Sequence, residues 1–456
     1  MPCPSGIQSC QVGMILNNPH HQAHFQENSI STFSAPITTS IGEELSSLPL
    51  GSSGSAITWS YTPEHVAVPT QDSLGPIMTE RAQVLGKRRV TLGAAYQYFD
   101  FHSIDGISMK QMPNVLGHSK FDVPKGAAIS QENDYITNLN NLSLHLNQIS
   151  LYVVYGISNR VDVSAELPIE TIHFSAFSQD HIVRTVTCEN TLDPATNGGS
   201  CNDAFSDLGE YHFFGNPSTP AEAYNNVDWT FANGGNASGI GDLILRAKGE
   251  VINGEKDVAS AGVAVRLPSG DADNLLGSGT IGVQPFGAYT YRARVSPHAL
   301  IGYQWNGQSI LPGNPFGPLS GSTTTLGPVK RTLPPSLVYS GGVDVRLFDR
   351  LTVAADLIGQ RYFSSHIPLT SDGQTQPSYN AGTFSIGTYT STANNQSSSS
   401  PELVYHGGGL QYRQHRRRRE DTSRARILLT GNITTRVDNG GLVARVVPLV
   451  GLSYAF

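Results

Sequence analysis

Over residues 442–456 the chain ends in LVARVVPLVGLSYAF. Alternate positions divide this stretch into two faces. Leu442, Ala444, Val446, Pro448, Val450, Leu452, Tyr454 and Phe456 share one face; Val443, Arg445, Val447, Leu449, Gly451, Ser453 and Ala455 share the other. A period of two is the signature of a strand. A last strand that closes on Tyr454 and Phe456 places aromatic rings where the wall of an exported barrel meets lipid headgroups.

The same alternation recurs upstream, at 90–98, 149–155, 161–169, 243–251, 259–267, 299–305, 337–347, 351–357 and 429–437, with weaker runs at 280–291 and 403–412. With the terminal stretch this predicts about twelve strands. Short turns are expected at 158–160, 253–256, 294–297 and 348–350. Long polar loops are expected at 103–134, 175–238, 268–278, 306–334 and 363–401. Up-and-down barrels alternate short turns on one rim with long loops on the other, and a Greek-key sandwich does not sort its connections this way. Two places break the pattern: the connection at 438–441 is short, and the turn at 413–424 is long and carries RQHRRRRED. Its run Arg416–Arg419 reads as a solvated basic turn, with an ill-fitting segment or an interaction patch as the alternatives. The expected fold is all-β, a closed up-and-down antiparallel transmembrane β-barrel over 88–456. Residues 1–87, rich in Ser, Pro, Thr and Asn, read as an irregular segment, disordered or loosely docked.

Composition agrees with short β segments and polar loops: 38% AVILMFWYC, 14% charged residues, 47 Gly and 18 Tyr. No apolar run approaches the ~18 residues of a membrane helix. A net charge of −7 excludes a strongly basic nucleic-acid surface, so no nucleic-acid partner is expected. None of the four cysteines forms a CxxC pair. Cys188 and Cys201 bracket CENTLDPATNGGSC, which an oxidising compartment would close as a local disulfide; two free thiols are the alternative. The opening residues, MPCPSGIQSCQVGMILNNPHHQ, lack the basic and apolar regions of a secretory leader, so a start upstream of Met1 is expected.

Four stretches carry a family resemblance: QDSLGPIMTERAQVLGKRRVTLGAAYQYFDF from Gln71, VVYGISNRVDVSAELPI from Val153, GIGDLILRAKGE from Gly239 and AGVAVRLPSGDADNLLGSG from Ala261. They resemble the bacterial outer-membrane family named for the MetA pathway of phenol degradation, whose members are regarded as transporters. The likeness runs from about Gln71 to Phe456. It implies passage of hydrophobic or aromatic compounds and no catalytic residues. The missing leader and the Arg416–Arg419 run depart from the family's usual pattern.

A lipid-facing wall must be apolar, so charges on strands are expected to face the lumen. The alternation assigns Asp162, Glu166, Asp242, Arg246, Lys248, Glu250, Arg266, Asp344, Arg346, Asp356, Arg436 and Arg445 to it. Their signs nearly balance. A ring of one sign would select ions, whereas a balanced set braces a narrow barrel and can also touch a solute. Asp271, Asp273 and Asn274 offer oxygen ligands to a cation but lack the rest of a calcium loop, and read as a polar turn. His20, His21 and His24 read as part of a polar tract. GSGTIG opens a strand and not a helix, so it is not read as a phosphate loop. No cofactor or metal is expected.

The expected function is an outer-membrane channel for passive passage of small hydrophobic or aromatic compounds. Its expected partners are outer-membrane lipid, that solute, and the barrel-assembly machinery through Phe456. A structural or adhesive barrel acting through its long loops is the alternative. A lipase-type barrel enzyme is the third reading, and it requires a Ser–His pair on the outer face near the rim. The assigned lipid faces show no such pair, and His145 falls on the polar side of its strand, opposite Leu142, Leu144 and Leu146.

Overall fold

A computed structural model describes residues 35–47, 59–61, 67–69, 79–104, 106–117, 135–183, 214, 227–314, 329–348, 351–363, 380–381, 384–385, 402–414, 426–437 and 440–455. Among them one helix, α1 (Ala35–Ser47), precedes a series of antiparallel strands. The wall strands are β1 (Val90–Ile104), β2 (Tyr135–Gly156), β3 (Val161–Val183), β4 (Asp228–Ile240), β5 (Leu243–Asn253), β6 (Asp257–Leu267) and β7 (Gly282–Tyr291). They continue as β8 (Val295–Asn306), β9 (Ser336–Phe348), β10 (Leu351–Tyr362), β11 (Glu402–Gln414), β12 (Arg426–Arg436) and β13 (Val446–Ala455).

Each strand pairs with its successor in sequence, with one exception that the ladder explains. β4 and β5 both pair with the same edge of β3, β4 along 169–181 and β5 along 161–166. They are one wall position interrupted at Gly241–Asp242. β1 pairs with β2 on one edge and with β13 on the other, so the order of neighbours returns to its start. Among the described residues the ring has twelve positions, as the alternation predicts. Cys188, Cys201, Arg416–Arg419, Phe456 and the histidines at 20, 21 and 24 lie outside the described residues.

The outward face is apolar in a continuous belt. Leu92 and Tyr96 of β1, Ile149, Leu151, Val153 and Tyr155 of β2, and Val161 and Ile169 of β3 are exposed. So are Leu245, Val263, Tyr289, Ile301, Trp305, Leu357, Leu429, Ile433, Val450, Leu452 and Tyr454 further round. On β3 the apolar outward run from Val161 to Ile169 spans about 26 Å along the strand at ~3.3 Å per residue, which after tilting suits a hydrocarbon layer.

Above that belt the polarity inverts without any change of phase. On β2 the outward positions become Asn147, His145 and Ser143, while Leu146, Leu144 and Leu142 turn inward and are buried. Strands therefore continue into a stretch that the sequence reads as a loop: β3 reaches Val183 and β4 starts at Asp228, both within 175–238. The sequence pattern weakens there because the buried face is now the inner one, packed on side chains within the barrel.

One consequence follows from the belt. Leu151→Arg puts a charge within the apolar band and is expected to cost about 2–4 kcal/mol, whereas Asn147→Arg, at its edge, is expected to cost about 0–1 kcal/mol. Equilibrium unfolding in lipid vesicles measures both.

Candidate functional site: the lumen and the segment threaded through it

Two pieces of the segment 1–87 lie buried among wall residues. Near the rim of short turns, residues 79–85 cross the lumen. Their backbone meets the wall directly: the Leu85 N–H donates to Asp162 Oδ2 at 2.5 Å, Val84 N–H to Glu250 Oε1 at 3.1 Å, and Ala82 N–H to Thr290 Oγ1 at 3.2 Å. Their two charges are paired on opposite sides. Glu80 takes Lys248 Nζ at 2.6 Å and Arg246 Nη1 at 3.2 Å. Arg81 makes a two-pronged contact with Asp344, Nε to Oδ2 at 3.1 Å and Nη2 to Oδ1 at 2.8 Å. Asp356 Oδ1 lies 3.7 Å from Arg81 Nη2 and 2.5 Å from His298 Nε2. Arg81 and Asp344 side chains are 2% and 0% exposed, so neither charge has water to fall back on.

Helix α1 occupies the opposite part of the lumen. Its C-terminal carbonyls receive donors from the wall, as helix ends require. Arg266 Nη1 donates to Ser46 O at 2.7 Å, Gln304 Nε2 to the same oxygen at 3.3 Å, and the Tyr362 hydroxyl to Glu43 O at 2.7 Å. Arg436 Nη1 stands 3.9 Å from Glu44 Oε2. Asp242, at the break between β4 and β5, accepts from Ser278 N–H at 2.8 Å, Ser278 Oγ at 2.5 Å and Gly270 N–H at 3.2 Å, with Arg266 Nε at 3.5 Å. The apolar side of α1, Ile37 and Ile41, joins a buried cluster of Phe99, Phe101, Met109, Met112, Leu142, Leu144, Leu146 and Ile172.

The predicted lumen residues thus separate into two groups. Asp162, Arg246, Lys248, Glu250, Asp344 and Asp356 surround residues 79–85, and Asp242, Arg266 and Arg436 surround the end of α1. Glu166 is buried on β3, and Arg346 is half-buried on β9. Arg445 is a correction: it is exposed, between the short strand Leu442–Ala444 and β13. Between Ala444, paired with Phe101, and Leu449, paired with Gln97, the last strand carries one residue more than β1, which reverses the phase upstream of Val446 and leaves Leu442 and Ala444 buried. Asp271 caps a short 3-10 turn, accepting from Asp273 N–H at 3.1 Å and Asn274 Nδ2 at 2.7 Å, as a polar turn does.

Sequence reading missed the inner partners Glu80, Arg81 and His298. One signal was available: Arg81 is the first Lys or Arg in the chain. It also missed a polar stripe on the β1–β2–β3 wall. Gln97 faces Gln148 across the ladder and Ala95 faces Ser150. Among the described residues, buried atoms of Thr91, Gln97, Gln148, Ser150 and Glu170 have no hydrogen-bond partner. Buried polar atoms of this kind mark places for water or a polar ligand group. The lumen therefore has a charged floor, a packed apolar cluster beyond it, and a polar strip on one wall.

The floor can be loosened at one point. Arg81→Ala leaves Asp344 and Asp356 facing each other without the guanidinium, at a cost of about 3–5 kcal/mol. Residues 79–87 are then expected to exchange amide hydrogens and to be cut by protease faster than in the parent protein, with the barrel's heat-modifiable migration retained.

No curated protein matches the chain. Among solved structures, an outer membrane channel from Pseudomonas putida F1 matches at 13% identity and TM-score 0.40, over 82% of this chain and 98% of that one. A Pseudomonas aeruginosa FadL homologue matches at 9% identity and TM-score 0.28, over 81% and 89%. The CymD monoaromatic hydrocarbon channel matches at 9% identity and TM-score 0.28, over 81% and 88%. Residues 149–317 match the family model described as "Putative MetA-pathway of phenol degradation".

Proposed function

We propose that the protein is an outer-membrane channel that lets small hydrophobic or aromatic molecules pass down their gradient. The observation that carries this reading is the apolar cluster inside the wall: Phe99, Phe101, Met109, Met112, Leu144 and Leu146 are buried around α1 at the end of the barrel away from the short turns. A barrel that passed only ions or sugars would gain nothing from such a lining. An apolar solute leaves water favourably there, at about 25 cal/mol per Å² of apolar surface. The family match over residues 149–317 supports the same reading.

Onward passage has to get by the floor made by residues 79–85. The stripe of Gln97, Gln148, Ser150 and Thr91 runs along the wall from the apolar cluster toward the short-turn rim, where water can share the path. In this mechanism the charged wall residues act first as anchors of the threaded segment, and the solute meets them only when that segment shifts. The terminal Phe456 is the proposed contact for the barrel-assembly machinery.

Vesicles with a lipopolysaccharide outer leaflet, which apolar solutes cross slowly, provide the test. The protein is expected to accelerate uptake of a small aromatic solute such as phenol. Leu146→Asp, which puts a carboxylate into the apolar cluster, is expected to reduce that uptake roughly tenfold, given the cost of bringing an apolar solute against a charge. Arg81→Ala is expected to increase it. Uptake equal to that of protein-free vesicles counts against the channel.

A further inference from the structure

We propose that Asp100, Ser143 and His145 form a hydrolytic site on the outside of the barrel, acting on the carboxylic esters of membrane lipids. Ser143 and His145 are two residues apart on β2 and so share its outward face. Ser143 Oγ lies 2.9 Å from His145 Nε2. Asp100 is the direct cross-strand partner of His145 on β1, and its Oδ1 lies 2.9 Å from His145 Nδ1. The Tyr98 hydroxyl lies 3.2 Å from the same nitrogen. This places a hydroxyl, an imidazole and a carboxylate in the order that activates a serine nucleophile. With its Nδ1 proton directed at Asp100 and Tyr98, the imidazole presents a bare Nε2 to the serine.

The site is open to attack from outside. Side chains of His145 and Asp100 are 34% and 40% exposed. It also stands at a chemical boundary. Ile149, the last exposed apolar residue of β2 before the polarity inverts, is four residues from His145 on the same face. Lipids whose chains lie on Ile149 and Leu151 turn their ester groups toward the polar positions that follow on this side of β2, Asn147, His145 and Ser143. Strand backbone N–H groups are committed to the ladder, so charge on the carbonyl oxygen must be met by side chains. His173 and Ser175 on β3 are the cross-strand partners of His145 and Ser143. His173 Nδ1 lies 2.7 Å from Asn236 Oδ1, a contact that orients its ring.

The reaction is acyl transfer to water. Ser143 Oγ attacks the ester carbonyl while its proton moves to His145 Nε2. The C–O bond to the lipid alcohol breaks, and His145 returns the proton to that leaving oxygen, which leaves an acyl-serine. A water molecule, deprotonated by His145, attacks the acyl-serine; the proton returns to Ser143 and a fatty acid departs. One water is consumed, and a lysolipid and a fatty acid form in equal amounts. The site shares no residue with the lumen and does not depend on the channel reading.

Full-length protein reconstituted in phosphatidylethanolamine vesicles tests the proposal. A fluorophosphonate probe is expected to label Ser143, located by peptide mass spectrometry, and the vesicles are expected to release lysolipid and fatty acid one to one. Ser143→Ala should abolish labelling and lower release by about a thousandfold or more, and Asp100→Asn should lower it by a similar factor. Ser175→Ala should still be labelled at Ser143. Heat-modifiable migration of each variant shows that its barrel is intact. Absence of label on Ser143, or undiminished release by Ser143→Ala, overturns the site. Turnover of a soluble short-chain ester with the lipid left intact overturns the lipid assignment.

Discussion

A strand in a lipid-facing wall has only its neighbours to satisfy its N–H and C=O groups. The rest of this structure depends on that constraint. β1 meets it by pairing with β2 on one side and β13 on the other, so the first and last wall strands share a ladder. Once every position has two neighbours, alternate side chains are committed to lipid or to lumen. The interruption at Gly241–Asp242 is tolerated because β3 continues unbroken past it and Gly241 N–H still reaches Pro168 O at 2.8 Å.

Turning charges inward creates a second problem, since a buried ion without a partner is costly. The wall resolves it with residues from outside the wall. Glu80 and Arg81 insert between a basic patch on β5 and an acidic patch on β9 and β10. Near α1 the same logic uses backbone: Arg266 and Gln304 meet the Ser46 carbonyl. Residues 79–85 thus pair the charges of the wall and fill part of the lumen in one arrangement.

The inversion of polarity at Asn147 sets the outer geometry. Below it the outward face must be greasy and the inward face can be wet; above it the requirement reverses, because the outward face meets headgroups and water while the inward face packs on α1. Asp100, His145, His173 and Asn236 occupy one row across four neighbouring strands just above this boundary. A polar row at that height has lipid esters within reach, which gives Ser143 and His145 a chemical setting that an isolated surface pair would lack.

The strand alternation and the alternation of short and long connections were legible in the sequence by itself, because side-chain period and turn chemistry are local properties of the chain. The phase of Asp344 and Lys248 put them on the side of their strands opposite the apolar residues. What filled the lumen was not readable. Arg81 and Asp344 are 263 positions apart, and nothing local to either names the other. Arg445 was misplaced because a register shift against β1 leaves no mark in the alternation of a single strand. His145 looked like the polar side of an ordinary strand. Only the tertiary structure showed that this side points outward and that Asp100 on a neighbouring strand stands beside it, since the sense of a face is decided by what packs on the other one.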